Sequence, residues 1–340
     1  MAQNLSRRYW KLGLTSSLAI GEALANFGNY ACAQLTPDAT LGTEHSIVTP
    51  LTPSVAKIDG GARRGKNLFH SFQEFNISEN QGVYFTNFAG IENILSRVTG
   101  NNPSKIFGKL GVLGGNANLF LINPNGIIFG PHSSLDVMGS FVATTANAVQ
   151  FGARGFFNAS TPNVPPLLTV NPSALLVNQI GAGSITNNSL TPDGQRSDPL
   201  NTFAPSRAKS LFGLRVPDGR SLLLEGGNVT LDGGGVNALG GRVELGGLAG
   251  AGTIGLDVNG NNLHLSFPDG VARADISLIH GANIDTSGEG GGDIQMQGRR
   301  VTLTDGSQIV STTLGSKPGG TLAVTASDSL ELIGLVRFVA

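Results

Sequence analysis

Residues 250–255 read Gly-Ala-Gly-Thr-Ile-Gly, the G-x-G-x-x-G spacing that lets a backbone approach a pyrophosphate. A dinucleotide site needs a helix directly afterwards and an acidic residue about 20 further on. Here 256–262 reads as a strand and then an Asn-Gly turn, so no cofactor is expected. His70 lies beside Phe69 and Phe72, with no cysteine and no second histidine at ligand spacing. A packed or capping histidine is expected there, not a metal ligand. His45, His132, His264 and His280 are scattered. Asp285, Glu289 and Asp293 are close in sequence, and glycoside hydrolysis needs two carboxylates at a defined separation. These three sit in Gly-rich repeats and read as corner residues, and 290–293 does not reproduce the calcium-binding nonapeptide. Asn76, Asn158, Asn187 and Asn228 begin N-x-S/T triplets, read as chance matches in an Asn-, Ser- and Thr-rich chain. The expectation is no catalytic residue, no cofactor and no metal.

The elements around these residues are short. Charged residues make up 13% of the 340, and the net charge is −1, so no basic surface for nucleic acid is expected. With 49 Gly and 16 Pro but 40% hydrophobic residues, the chain has many turns and still enough apolar mass for a core. An all-β protein follows.

The N-terminus reads as an export signal over residues 1–33. Arg7, Arg8 and Lys11 form the charged region, 12–25 is an apolar stretch interrupted by Glu22, and Ala31-Cys32-Ala33 gives an A-x-A cleavage site before Gln34. Cleavage there removes the one cysteine, so the mature chain carries no disulfide. No stretch of it is long and apolar enough to span a bilayer as a helix.

Residues 34–66 read as extended, with Thr-Pro at 36–37, 49–50 and 52–53. In 67–77 the spacing of Phe69, Phe72 and Phe75 fits one helical face, while Asn76 and the run 82–85 fit strands. Strand-like runs then recur every 8–12 residues or so, the all-β rhythm. Asn123-Pro124-Asn125-Gly126 has the residue order of a type I turn. Residues 155–210 are Pro-rich and read as a boundary or an excursion, with loops at 163–172 and 187–205.

The last third repeats. The units at 281–296 and 306–324 are offset by 25 residues in their first half and 28 in their second. Gly240-Gly241 stands 51 residues before Gly291-Gly292, read as two periods. A period in the twenties with alternating short strands is the mark of a solenoid. Leu does not recur at leucine-rich-repeat offsets, so a parallel β-helix is the better fit. About twelve coils at ~4.8 Å each would make a rod of roughly 60 Å. Its first coil needs a cap, and the Phe-rich stretch 68–88 is the expected one.

Several segments resemble the N-terminal secretion domain of filamentous haemagglutinins, the two-partner secretion exoproteins, in the form common in cyanobacteria. They are 60–65 with 67–72, Val83-Tyr84-Phe85-Thr86-Asn87, 91–100, and above all 115–130, which contains Asn123 to Gly126. The dense match covers about 40–160. The resemblance implies a single-stranded, right-handed, pectin-lyase-like parallel β-helix with an N-terminal cap. It implies residues 34–270 as the secretion domain and 271–340 as further coils of a stalk. Asn67, Phe69, His70, Phe72, Arg97 and Gly100 are the family-motif and cap residues, and 123–126 the secretion motif. The implied partner is an Omp85-type outer-membrane transporter with POTRA domains. The implied destination is the cell surface or medium, with an adhesin-like role toward a host or cell-surface receptor or glycan. A second motif of some members, NPNL, has only a partial echo at 101–104. A β-helix polysaccharide lyase or hydrolase, and a truncated remnant that is never exported, are the other readings kept.

Overall fold

The computed structural model describes residues 34–178, 182–192, 211–334 and 337–339. The signal-peptide residues, with Ala31 and Ala33, lie outside them, as do 193–205 of the second expected loop. Strands dominate, and the helical content of the described residues is a 3-10 turn at Gly152–Arg154. The segment left open between helix and strand is the strand Asn67–Phe75.

The chain winds as a parallel β-helix with three faces. Face I stacks 67–75, 93–98, 118–122, 141–144, 221–225, 242–246, the first half of 293–303 and the first half of 322–332. Face II stacks 104–106, 127–129, 185–187, 229–232, 276–279 and the second halves of those last two strands. Face III is formed by 55–60, 82–86, 109–113 and 134–136, then by 214–215, 235–237, 283–285, 308–310 and 337–339. Alternation along each strand sends every second side chain inward. Leu68, Ile94, Leu119, Phe141, Leu222, Val243 and Ile294 are one inward column of a continuous core that reaches from Ile58 to Ile309.

Three expectations change. Among the described residues face I has eight rungs, about 35 Å of stack rather than 60 Å. The missing coils are spent outside the helix: 148–150, 156–158, 174–177, 252–259 and 262–266 form a separate antiparallel sheet. For the same reason the 51-residue offset is one coil plus an insertion, since Arg242 and Asp293, 51 apart, lie on neighbouring strands. The Pro-rich region is likewise an excursion, because Ile185–Asn187 rejoins the stack between 127–129 and 229–232. Third, the capping strands precede the Phe-rich stretch. Leu35–Pro37 and Ala62–Arg64 pair antiparallel to 67–75, and Ser46–Thr52 pairs antiparallel to 55–60. Residues 67–75 and 82–86 are parallel-paired onward and so belong to the first coil.

The antiparallel sheet lies on the outer surface of face I. Phe69, Leu95, Phe120, Val142 and Leu223 point out of the helix and meet Phe151, Phe157, Leu175, Ile254, Leu263 and Leu265 in a second core. Strand 118–122 is therefore buried on both sides. Phe120→Ala should cost about 3–5 kcal/mol in urea denaturation. Leu113→Ala, at a position 37% exposed, should shift stability by less than about 0.5 kcal/mol.

Candidate functional site

Asn123 to Gly126 joins face I to face II in the third coil. The Gly126 N–H donates to the Asn123 carbonyl at 3.1 Å, closing the turn. Asn125 is not among the residues with positive φ, so the turn is type I and not type II. The Asn123 side chain is fully buried. Its Nδ2 donates to the Asn102 carbonyl and to Ser104 Oγ, both at 3.0 Å, and its Oδ1 accepts the Asn125 N–H at 3.0 Å. Asn125 Nδ2 donates to the Gly100 carbonyl at 2.7 Å. From the coil above, Gly183 N–H donates to the Pro124 carbonyl at 3.0 Å. Gly126 sits at φ +117°, and a Cβ there would lie 2.9 Å from the Ser184 carbonyl oxygen. Gly100 is as constrained, since its Cβ would lie 2.1 Å from the Gln73 carbonyl oxygen. The motif is thus clamped between two coils, and of its four residues Asn125 alone is exposed.

The other motif residues, Gly100 apart, lie on the first two rungs of face I. Phe72 points inward, and Phe69 points outward against Phe157 at 4.7 Å between ring centroids. His70 is buried with Nδ1 at 3.1 Å from Ser46 Oγ, and its Nε2 has no hydrogen-bond partner. Burial pushes its pKa from 6.5 to about 3, so the ring is neutral. Arg97 is also fully buried. Nε donates to Ser71 Oγ at 2.9 Å, Nη1 to the Asn158 carbonyl at 2.8 Å, and Nη2 to Thr40 Oγ1 at 2.7 Å and the Asn163 carbonyl at 2.9 Å. The guanidinium lies 4.4 Å from the Phe157 ring centroid. One side chain thus binds the cap, the first coil and the excursion. Burial lowers its pKa to about 10, opposed by Asp38. Burial acts to raise the Asp38 carboxyl, but hydrogen bonds from Thr40, Thr99 and Ser71 outweigh it and hold it below the usual range.

Two polar groupings, of which Asn67 alone was named from the sequence, emerge from the structure. Asn67, Asn93 and Asn118 occupy one register position on successive rungs. Asn93 Nδ2 donates to Asn67 Oδ1 at 2.9 Å, and Asn118 Nδ2 to Asn93 Oδ1 at 3.0 Å. The ends of this ladder hold the excursion: Asn67 donates to the Leu168 and Val170 carbonyls, Asn118 to the Gly260 carbonyl. The signal was present, since the asparagines are separated by 26 and 25 residues, the coil period. The second grouping, on three successive rungs, closes a sheet edge. Strand Asn262–Ser266 has one strand neighbour; on its other side Leu263 N–H donates to Ser221 Oγ, Leu265 N–H to Glu244 Oε2, and Gln295 Nε2 to the Leu265 carbonyl. Glu225 is buried beneath the same sheet, hydrogen-bonded to Thr144 through one oxygen, with the other unpartnered.

Residues 252–259 are a strand, not a helix. Glu289 pairs with Lys317 at 2.8 Å and Asp293 with Arg242 at 2.5 Å, while Asp285 accepts the Ser287 N–H. No group of three or more His, Cys, Asp or Glu among the described residues is placed to hold a metal.

Residues 33–296 match the TPS secretion domain family, most of the chain and every coil of face I up to the first half of 293–303. The chain belongs to the TPS secretion domain family. It is accordingly a two-partner secretion exoprotein. The match runs beyond the expected limit at 270 and takes in the whole antiparallel sheet. Among solved structures, the filamentous hemagglutinin secretion domain is 17% identical, with a TM-score of 0.49 over 90% of this chain and 99% of that one. The HMW1 secretion domain from Haemophilus influenzae is 17% identical, with a TM-score of 0.42 over 85% and 98%. No curated protein matches the sequence.

Burial raises the Glu225 carboxyl from 4.5 to about 7, with the Thr144 hydrogen bond opposing it. The folded state therefore holds this proton more tightly than the unfolded chain. That stabilisation is complete below pH 4.5 and is lost as pH rises through 7, amounting to at most about 3 kcal/mol. His70 acts oppositely, withdrawing stability as pH falls from 6.5 toward 3. Urea midpoints at pH 5.5 and 8 should show that Glu225→Gln gains more at pH 8 than at pH 5.5 relative to the parent. Equal shifts at both pH values would refute a buried, protonated Glu225.

Proposed function

We propose that this chain is exported across the outer membrane by a dedicated Omp85-type transporter that captures it through POTRA domains. Its surface role is adhesin-like, toward a receptor or glycan. The observation that carries the reading is the family match over 33–296, which spans the cap, the coils and the excursion as one unit.

The fold supports export without a motor. Each rung pairs with its two neighbours, so a chain emerging end-first can add coils in order. The cap strands come first in the chain and supply the edge on which 67–75 pairs. The burial of Asn123, Pro124 and Gly126 bears on recognition. A transporter that reads those side chains reads them before the third coil closes. Strand addition, with backbone bonds for affinity and side chains for register, suits such an extended chain. The lyase or hydrolase reading gains nothing from Asp285, Glu289 and Asp293, each already engaged by a local partner.

Co-expression with the candidate transporter tests this, with culture medium assayed for a product that starts at Gln34. Product should appear only when the transporter is present; export without it would overturn the assignment. Asn123→Ala removes the buried amide contacts and should cost about 1–3 kcal/mol in stability. It should lower secreted product several-fold, whereas Leu113→Ala should leave the yield unchanged.

A further inference from the structure

We propose that the outer surface of face III carries a glycan-binding groove, built around a flat tyrosine, that holds an extended β-linked chain of pyranose rings. This deepens the adhesin-like reading above and rests on it for its biological role. The groove encloses about 590 Å³, within the ~300–1,000 Å³ usual for small-ligand sites. Val55, Gln81, Tyr84, Lys109, His132 and Leu190 are among its walls. It follows the start of the face III strands across four rungs, where Val55, Gly82, Lys109 and Ser134 stand in register.

Tyr84 points outward between the inward residues Val83 and Phe85. Gly111 is its neighbour on the next rung, and Asp136 stands one rung further. A Cβ at Gly111 would lie 2.5 Å from Tyr84 Cε1, and one at Gly82 would lie 3.1 Å from Cε2. The two ring edges therefore fill the places of two missing side chains. The hydroxyl donates to Asp136 Oδ2 at 3.1 Å, so the long axis of the ring runs along the stack. With both axes parallel to the sheet, the ring lies flat, one face on the strand backbone and the other toward the groove. Neither Gly82 nor Gly111 is among the glycines with positive φ. What these two positions supply is space for the ring, not an unusual backbone. Burial and the Asp136 carboxylate push the Tyr84 hydroxyl up, so it stays a neutral donor.

A flat ring with one open face suits the C–H face of a pyranose. The partly positive hydrogens meet the electron-rich ring, and the equatorial hydroxyls reach the rim. Half-buried Gln81, Lys109 and Ser134 are placed to receive them, since their side chains have no hydrogen-bond or ion-pair partner among the described residues. A peptide strand would need a free sheet edge, whereas this floor is a sheet face already paired from rung to rung. Nucleic acid would need more cations than Lys109 and a His132 that Glu79 engages at 3.4 Å.

Calorimetric titration of the full chain tests the groove, with pentamers of β-1,4-linked glucose and β-1,4-linked N-acetylglucosamine as probes and α-1,4-linked maltopentaose as the comparison. At least one β-linked pentamer should bind about tenfold tighter than maltopentaose. Tyr84→Ala should weaken that binding about tenfold and Lys109→Met several-fold. Tyr84→Phe keeps the stacking face and should stay within about threefold of the parent. Circular dichroism checks the fold of each variant. Lys109→Met and Gln81→Ala, which leave the ring and the core in place, carry the test if Tyr84→Ala does not fold. Absence of binding by both β-linked pentamers at millimolar concentration overturns the groove. So does binding that Tyr84→Ala and Lys109→Met leave unchanged. A chain that adheres to cells yet binds neither pentamer would overturn the groove and leave the adhesin-like role standing.

Discussion

Face I has to bury both of its surfaces, and much of the molecule follows from that. Its inward residues fill the β-helix, as in any solenoid. Its outward residues are just as apolar for five rungs, from Phe69 to Leu223. An open rod would leave them in water, at a cost on the order of 25 cal/mol for each Å² of apolar surface. The antiparallel sheet covers them. It needs the two excursions, a way to hold them down and a way to stop its own edge. The asparagine ladder, Arg97 and the side chains of Ser221, Glu244 and Gln295 meet these last two needs. The outward column turns polar at Glu244, one rung above Leu223, and Gln295 follows on the next rung.

These polar groups are expensive to bury and are therefore well partnered. Asn93 is satisfied by the rungs on either side, and Arg97 spreads its donors over the cap, the first coil and two segments of the excursion. Such groups restrict the register more than they add net stability, because a one-residue slip would strand each of them without partners. His70 and Glu225 are among the exceptions, each with a buried atom unpartnered, and both are driven to their neutral forms.

Where side-chain periodicity and turn chemistry decide the outcome, the sequence was legible. The 25- and 28-residue offsets reappear as paired rungs, Ile284 on Ile309 and Ile294 on Leu322. The turn at 123–126 could be read from residue order. The excursion was visible as Pro-rich composition, but not its partner at 252–266, which looks locally like two more coil strands. What separates those strands from coils is their pairing with 174–177, nearly eighty residues earlier, a contact that no local pattern encodes. The cap was misplaced for a similar reason: Phe-rich strands look terminal by composition, yet their parallel partners place them inside the stack.

The 81 residues between Ser140 and Ser221, neighbours in the ladder, give the domain two clocks. Stacking is local, so coils can close as soon as their residues arrive. The outer layer is not local. Asn118 reaches Gly260 and Asn261, and Leu175 reaches Ile254, across long intervals of chain. At synthesis or transit a short nascent segment therefore holds a finished inner helix with a greasy flank, and the flank is sealed only once residues near 266 have emerged. Such non-local closure is slow. The interval during which the flank is bare is the domain's period of greatest exposure to aggregation, and equally the time in which another protein could grasp it.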